Sequence, residues 1–256
     1  TAKGLLAGRV DVSWGGPMRV MLHRDADPGC PLVCFCEVVA RDPFYLVGRE
    51  PNTRFDFHDL EGLRVGVPVE VPTPWMTFQD DLRRAGVNPG GLNRIADRSM
   101  RELASDLRRG ELDVVQLMEP QVDSLLQDGS GHLWHAFAAR GDIGFTSFYT
   151  TRAFMDARPQ VCRRLTRVMS RALESVYTLE PGEIATLIAS CFPALDHAHL
   201  ARGIERYVSA GLWARHTALS KTAFERLKAA LLSGGLISTD VPYEQTVENR
   251  FCEGGP

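Results

Sequence analysis

Two segments of the chain share one local pattern, Leu5–Val12 (LLAGRVDV) and Leu107–Val114 (LRRGELDV). In register, both carry Leu at the first position, Gly at the fourth, Asp at the seventh and Val at the eighth. We interpret each segment as a helix end whose glycine takes the left-handed conformation, followed at once by a short strand. The recurrence of this unit later in the chain predicts two lobes built on the same α/β scheme.

Strand-like and helix-like stretches alternate between these two segments. The apolar run Leu63–Val67 predicts a strand, and Thr73 followed by Pro74 predicts the N-cap and first residue of a helix. Ser99 and Glu102 have the spacing of a capping box that begins the next helix. Alternating strands and helices indicate an α/β fold, with mixed, mainly parallel sheets flanked by helices.

The sequence becomes mainly helical after one more predicted strand, Phe145–Thr150, and Pro159 begins a long amphipathic helix. Because this helical C-terminal tail needs a surface to cover, we expect it to pack on lobe 1. We therefore predict a discontinuous lobe 1, residues 1–48 plus 146–256, and an inserted lobe 2, residues 49–145. The two crossings, Tyr45–Gly48 and Thr146–Tyr149, are the expected hinge.

The composition is that of a globular protein and excludes several functions. The 256 residues are 44% hydrophobic and carry a net charge of −3, so no general basic field attracts nucleic acid or anionic lipid. We interpret the six cysteines, which form no CxxC pair, as buried free thiols that act as small hydrophobic residues. Neither His132 with His135 nor His197 with His199 has the further ligands that zinc requires, so we predict neither a metal site nor a cofactor.

The order and spacing of several motifs resemble the type II periplasmic solute-binding proteins of the nitrate, alkanesulfonate, taurine and thiamine-pyrimidine-precursor branch. The matching pieces are Leu6–Val12, Asp59–Val67, Gly110–Val114, Glu119-Pro120 and Tyr149–Phe154. The resemblance covers most of the first 180 residues. It implies two lobes with a ligand cleft between them, an ABC transporter permease as partner, a monomer, and a place in the periplasm or at the cell surface.

One departure from that family concerns the amino terminus. Its members normally have a strand and a helix upstream of the first repeated unit, and here the chain starts at Thr1 without an initiator Met. We therefore expect additional N-terminal sequence in the natural protein, where an export signal or lipid anchor would lie.

Ligands of open α/β lobes bind at the carboxyl ends of the strands, where loops lead into helices. Residues at such positions, together with one acid in an apolar strand and one aromatic on a crossing, are the candidate ligand-binding residues: Trp14, Gly15, Gly16, Glu37, Glu70, Thr73, Trp75, Gln116, Glu119 and Tyr149. Two tryptophans, further aromatics and acids favour a ring-containing ligand with donor groups over a compact inorganic anion. A sulfonate-like ligand is the other class that these residues would fit.

These candidates also have purely structural interpretations, which stay open from sequence alone. The glycines fit a tight turn as well as a ligand approach, and Thr73 fits an N-cap. Glu119 fits a first-turn acid favoured by the helix dipole. Glu37 interrupts an apolar strand, and a buried carboxylate needs a partner, for which Arg41 is the candidate.

The alternative function is an enzyme on the same fold. Cys34-Phe35-Cys36 resembles the end of the cysteine motif of thiamine-pyrimidine synthases, but the consecutive cysteines of that motif are absent. Desulfinases of a related fold use a cleft cysteine as nucleophile, and Cys36 is the candidate for that role here. Under this alternative the protein would be cytoplasmic.

Overall fold

The computed structural model describes residues 2–252 of the chain. The strands are β1 (Val12–Gly15), β2 (Leu32–Val39), β3 (Tyr45–Gly48), β4 (Arg64–Pro68), β5 (Asn93–Arg98), β6 (Val114–Leu117), β7 (His132–Ala136) and β8 (Thr146–Thr151). The α-helices are α1 (Ala2–Leu6), α2 (Pro17–Ala26), α3 (Thr73–Arg84), α4 (Met100–Arg108), α5 (Gln121–Gln127), α6 (Arg152–Ala157), α7 (Pro159–Thr178), α8 (Pro181–Ile188), α9 (His197–Ser209), α10 (Lys221–Ser233) and α11 (Tyr243–Thr246).

The chain forms two compact units, each described here by itself. Unit 1 comprises Thr1–Asp42, Gly141–Leu179 and Gly211–Pro256, and unit 2 comprises Pro43–Arg140 and Glu180–Ala210. The expected lobe 1 included β3, α8 and α9. In the structure β3 lies inside the unit 2 sheet, and α8 and α9 also belong to unit 2. The C-terminal helices are therefore shared between the units, whereas the sequence suggested that all of them belong to lobe 1.

Unit 1 is built on a three-stranded antiparallel sheet with the order β1-β8-β2. The middle of β2 is apolar throughout because helices cover both of its faces. On one face Val33 and Phe35 pack with Cys162 and Leu173 of α7. On the other face Leu32, Cys34 and Tyr149 pack with Val20 of α2 (these three strand residues are fully buried).

Unit 2 contains a mixed five-stranded sheet with the order β5-β4-β6-β3-β7. Strand β4 pairs in parallel with β5 and β6, whereas β3 is antiparallel to β6 and β7. Leu103 and Leu107 of α4 pack with Val115 and Leu117 of β6 in the core of this unit. The fold is α/β with mixed sheets, as predicted. The expectation of mainly parallel sheets is wrong: among the named strands of residues 2–252, four pairings are antiparallel and only those of β4 with β5 and β6 are parallel.

Two of the local sequence signals are confirmed and one is wrong. Gly8 and Gly110 have φ of 64° and 73°, the left-handed conformation expected at a helix end. Ser99 and Glu102 form the predicted capping box of α4. Thr73 does not cap α3: Pro72 holds the N-cap position, and Thr73 is the first helical residue. The helix begins one residue early because two prolines, which favour helical φ, flank Thr73.

No helix within residues 2–252 has both the length and the apolar character needed to span a membrane.

Candidate functional site

The β1–α2 junction of unit 1 holds three of the predicted site residues. The Trp14 side chain is 49% exposed and contacts the Phe148 ring edge-on, with 4.9 Å between the ring centroids. Gly15 ends β1, and Gly16 occupies the N-cap position of α2 without a side-chain cap. A Cβ atom on Gly16 would lie 2.7 Å from the carbonyl oxygen of Phe145, so only glycine allows this close approach.

A row of residues crosses the unit 1 sheet beside this junction. Gly15 of β1 is paired with Ser147 of β8, and Ser147 is paired with Glu37 of β2. We call these three residues the polar row. Ser147 Oγ and Glu37 Oε1 are buried and have no hydrogen-bond partner in the structure. Buried polar atoms are nearly always paired, so these two unpaired atoms require an ordered water or a polar group of a ligand as partner.

Two further side chains surround Gly15. A Cβ atom on Gly15 would lie 3.4 Å from Cε1 of Tyr149 and 3.2 Å from Nε of Arg19. The Tyr149 hydroxyl is buried and has no partner. The Arg19 side chain is exposed and forms no ion pair with any residue between 2 and 252. The junction thus contains the Arg19 guanidinium, the hydroxyls of Ser147 and Tyr149, and the uncapped N-terminus of α2. Such hydrogen-bond donors and positive charge are suitable for binding an acidic group.

Glu37 does not have the partner that the sequence suggested. The guanidinium Nε of Arg41 binds Asp142 Oδ1 at 2.9 Å, so Arg41 neutralises a different acid. Burial of the Glu37 carboxyl, with a smaller effect from the negative charge of Asp142, raises its pKa to about 8. Glu37 is therefore mostly protonated at neutral pH.

Unit 2 places three predicted residues around the start of α3. Thr73 is buried, and Gln116 of β6 donates from Nε2 to the carbonyl oxygen of Pro74 at 3.1 Å. The Gln116 Oε1 atom is buried without a partner. The Trp75 indole is partly exposed and lies under the guanidinium of Arg94, 4.4 Å from the ring centroid. These residues form a second candidate surface.

The last two predicted residues of unit 2 bind protein groups. Glu70 accepts a hydrogen bond from the Met100 N–H at the start of α4, at 2.9 Å. Glu119 binds Nε of Arg206 at 2.6 Å and accepts from the Asp123 N–H at 3.0 Å. Their carboxylates thus have structural partners in addition to any ligand role.

Comparison with known proteins identifies the group to which this α/β chain is related. The family model described as "NMT1/THI5 like" matches residues 1–183. The chain belongs to the NMT1/THI5-like family. The resemblance to periplasmic solute-binding proteins that the sequence motifs indicated is thereby confirmed.

One curated relative and two solved structures illustrate the range of similar proteins. The putative binding protein YtlA of Bacillus subtilis (strain 168) is 23% identical over 99% of this chain and 76% of its own. The alkanesulfonate-binding protein SsuA from Xanthomonas axonopodis pv. citri, bound to MOPS, is 15% identical with a TM-score of 0.74, covering 97% of this chain and 83% of that chain. The desulfurization enzyme DSZB is 16% identical with a TM-score of 0.61, covering 94% of this chain and 83% of that chain. At these identities the two solved structures establish the fold alone.

The NMT1/THI5-like chain also contains a charged cluster that the sequence did not reveal. Asp123 on α5 is fully buried and receives hydrogen bonds from Arg202 Nη2, at 2.8 Å, and from Arg206, both on α9. His199 Nε2 lies 3.6 Å from the same carboxylate. The only available signal was an acid in the first turn of a helix, which did not indicate basic partners 79 and 83 residues later. The cluster joins two helices of unit 2.

Cys36, the candidate nucleophile of the enzyme alternative, is poorly suited to that role in this NMT1/THI5-like protein. Its side chain is buried, and burial, with a smaller effect from neighbouring Cys252, raises its pKa to about 12. Only a fraction on the order of 10⁻⁵ of such a thiol is ionised at pH 7, and the thiolate is the nucleophile.

Alkylation tests this assignment directly. We expect iodoacetamide at pH 7 to modify the exposed Cys191 in the native protein and to leave Cys36 unmodified until the chain is unfolded. Mass spectrometry of the digested protein gives the modified fraction at each position. Modification of Cys36 as fast as that of Cys191 would contradict the assignment and support the enzyme alternative.

Proposed function

We propose that this NMT1/THI5-like protein is the solute-binding component of an ABC importer and captures a small organic ligand. The observation that carries the proposal is the group of unpaired buried polar atoms around Gly15: Ser147 Oγ, the Tyr149 hydroxyl and Glu37 Oε1. A protein fold gains nothing from leaving Ser147 Oγ and the Tyr149 hydroxyl without partners, because each unpaired buried group costs about 1–3 kcal/mol. A ligand that supplies those partners recovers this free energy on binding.

The chemistry of the junction favours an organic acid, either a sulfonate or a carboxylate. Arg19, Ser147 and the N-terminus of α2 present hydrogen-bond donors and positive charge to the acidic group. Trp14 is the last side chain before the junction, on the edge strand β1, and packs on Phe148. Its half-exposed indole is the candidate apolar surface for the rest of the ligand, which favours a ring or a short hydrocarbon part. Trp75 and Gln116 of unit 2 form a second candidate surface, which can be tested independently.

The named relatives support a role in transport. One relative is a putative binding protein, and one solved structure of the same fold is an alkanesulfonate-binding protein. We extend this role to the present chain, with an ABC permease as partner, a monomeric state and a location in the periplasm or at the cell surface. Among residues 2–252, no three His, Cys, Asp or Glu side chains are grouped as a metal ion would require.

A ligand panel tests the proposal by thermal unfolding. The panel holds alkane- and arylsulfonates, aromatic carboxylates, pyrimidines and inorganic oxyanions. A ligand at 100 times its Kd stabilises the folded state by about 2.7 kcal/mol. For a chain of this size, that corresponds to roughly 5–10 °C in Tm. We expect at least one organic acid to produce such a shift.

Variants then locate the binding surface. We expect Trp14→Ala and Ser147→Ala to weaken binding of that acid at least tenfold, because they remove the apolar face and a hydroxyl partner. Phe192→Ala is the matched control, since Phe192 is a comparably exposed aromatic side chain at 44%. Cys36→Ser should leave binding unchanged. Failure of every panel member to shift Tm, or full affinity of Trp14→Ala, would contradict the proposal.

A further inference from the structure

Positive charge is concentrated on helix α7 of unit 1. Residues 157–173 contain five of the 29 basic residues of the chain and none of its 32 acidic residues. The five are Arg158, Arg163, Arg164, Arg167 and Arg171. This segment therefore carries a charge of +5 in a chain whose net charge is −3. The basic field that the overall composition lacks is present locally, on one helix.

Four of these arginines lie on the outer side of α7, and we call Arg163, Arg164, Arg167 and Arg171 the arginine stripe. Positions separated by three, four, seven or eight residues share one side of a helix, and all four residues are exposed. The opposite side of α7 is already occupied, because Cys162 and Leu173 are buried in the core of unit 1. The arginine stripe is therefore available to a partner without any change in the packing of the helix.

The arginine stripe has no counter-charge within the chain. Among residues 2–252, no side chain forms an ion pair or a hydrogen bond with any of its four guanidinium groups. Like charges four residues apart on a helix repel each other, which applies to Arg163 with Arg167 and to Arg167 with Arg171. An anionic surface laid over the stripe would relieve this repulsion, so the stripe is electrostatically complementary to such a surface.

Exposed apolar side chains lie beside the arginines. Val161 and Val168 are 40% and 59% exposed, and Val168 is one turn beyond Arg164. Guanidinium groups bind phosphate oxygens with two parallel hydrogen bonds, and apolar side chains contact the boundary between headgroups and acyl chains. An acidic protein surface would use the charges alone, whereas the surface of an anionic bilayer uses both features. The stripe spans about 12 Å along a straight helix, which suits a flat surface.

We propose that the outer face of α7 docks this protein onto an anionic phospholipid bilayer. The arginine stripe lies among the phosphate groups, with Val161 and Val168 at the headgroup boundary. The opposing net charge of the chain is screened beyond about 10 Å at 0.1 M salt, so local contact decides the binding. This docking surface is separate from the ligand site, so either proposal can fail while the other stands.

Co-sedimentation with sucrose-loaded vesicles measures the docking as a partition coefficient. The probes are vesicles of phosphatidylcholine alone and of a two-to-one mixture of phosphatidylcholine and phosphatidylglycerol. We expect the full chain to bind the anionic vesicles at least tenfold more tightly than the neutral ones at about 0.1 M NaCl. The preference should disappear near 1 M NaCl, where the Debye length falls to about 3 Å.

Replacing the four arginines of the stripe by glutamine should weaken binding to the anionic vesicles roughly 100-fold or more, because each arginine near such a surface contributes about fivefold. Glutamine favours helices as arginine does, so the variant should keep its fold, and Tm checks this. The matched control removes the same charge from four scattered exposed positions and should bind within about threefold of wild type. It carries Arg9→Gln, Arg54→Gln, Arg83→Gln and Arg101→Gln.

Two further variants separate charge from apolar contact. Lysine at the four stripe positions keeps the charge and should retain most of the binding. Val168→Ser should weaken binding a fewfold, whereas Val69→Ser, at a valine of unit 2 that is 58% exposed, should leave it unchanged.

Three outcomes would overturn the inference. The first is equal binding of the wild-type protein to both kinds of vesicle, or binding to neither. The second is an equal loss of binding in the scattered control and in the stripe variant, which would show that net charge and not α7 is responsible. The third is stripe-dependent binding to soluble polyglutamate without binding to anionic vesicles, which would identify an acidic protein as the partner. In each case the ligand panel still decides the proposed function.

Discussion

The Glu37→Gln variant is expected to be more stable than the wild-type protein at pH 8 and nearly equal to it at pH 5. Glu37 has a pKa of about 8 in the folded protein and an ordinary value of 4.5. Between these two values the folded state binds more protons than the unfolded state. The contribution of Glu37 to the free energy of unfolding therefore falls as the pH rises from 4.5 to 8.

The size of this effect follows from the shift in pKa. Once the pH has passed both pKa values, this shift lowers the free energy of unfolding of the wild-type protein by on the order of 3–5 kcal/mol. Glutamine does not titrate, so the difference between the variant and the wild-type protein should grow steadily with pH and favour the variant. Urea unfolding at pH 5, 6.5 and 8 measures it.

Two comparisons make this result decisive. Glu50→Gln should follow the wild-type pH profile, because the Glu50 side chain is 75% exposed and solvent screens its charge. Histidines and other groups that titrate in the same range are common to all three proteins and cancel in the difference. A stability difference between Glu37→Gln and wild type that is constant across pH would contradict the assignment.

The Asp123→Asn variant is expected to lose a large part of the stability of unit 2. Burial alone would raise the pKa of Asp123, but its hydrogen bonds with Arg202 and Arg206 outweigh burial and keep the pKa below 3.8. Removing one partner of a buried ion pair typically costs about 3–5 kcal/mol, because the remaining charges stay buried without compensation. Urea unfolding at pH 7, followed by far-UV circular dichroism, measures this loss.

A surface ion pair provides the control for Asp123. Lys221 and Glu244 lie 2.6 Å apart with side chains that are 61% and 66% exposed. Glu244→Gln should leave the unfolding midpoint close to wild type, since solvent screens exposed pairs. The Asp123 contribution is also lost in wild type when the pH falls below its lowered pKa, so the two proteins should converge in stability in strong acid. Equal, small effects of Asp123→Asn and Glu244→Gln would show that the cluster does not hold α5 and α9 together.

Several features of this protein were predictable from sequence because their causes lie within a few residues. The left-handed glycines Gly8 and Gly110 and the capping box of Ser99 and Glu102 depend on backbone preference and on contacts across one helical turn. The α/β class and the family followed from the order of such local units along the chain. The failed cap at Thr73 shows the limit of this approach, since a shift of one residue changes the role of a side chain.

The partners of charged and buried polar groups were determined by tertiary structure alone. Arg41 pairs with Asp142, 101 positions away, and this leaves Glu37 without the partner that proximity in sequence suggested. The arginines that bind Asp123 lie 79 and 83 residues later in the chain. The polar row exists only because the registers of three strands align Gly15, Ser147 and Glu37. Sequence thus determined the backbone elements, which follow local rules, whereas charge pairing and the candidate ligand surface depend on which distant residues the packed strands and helices bring together.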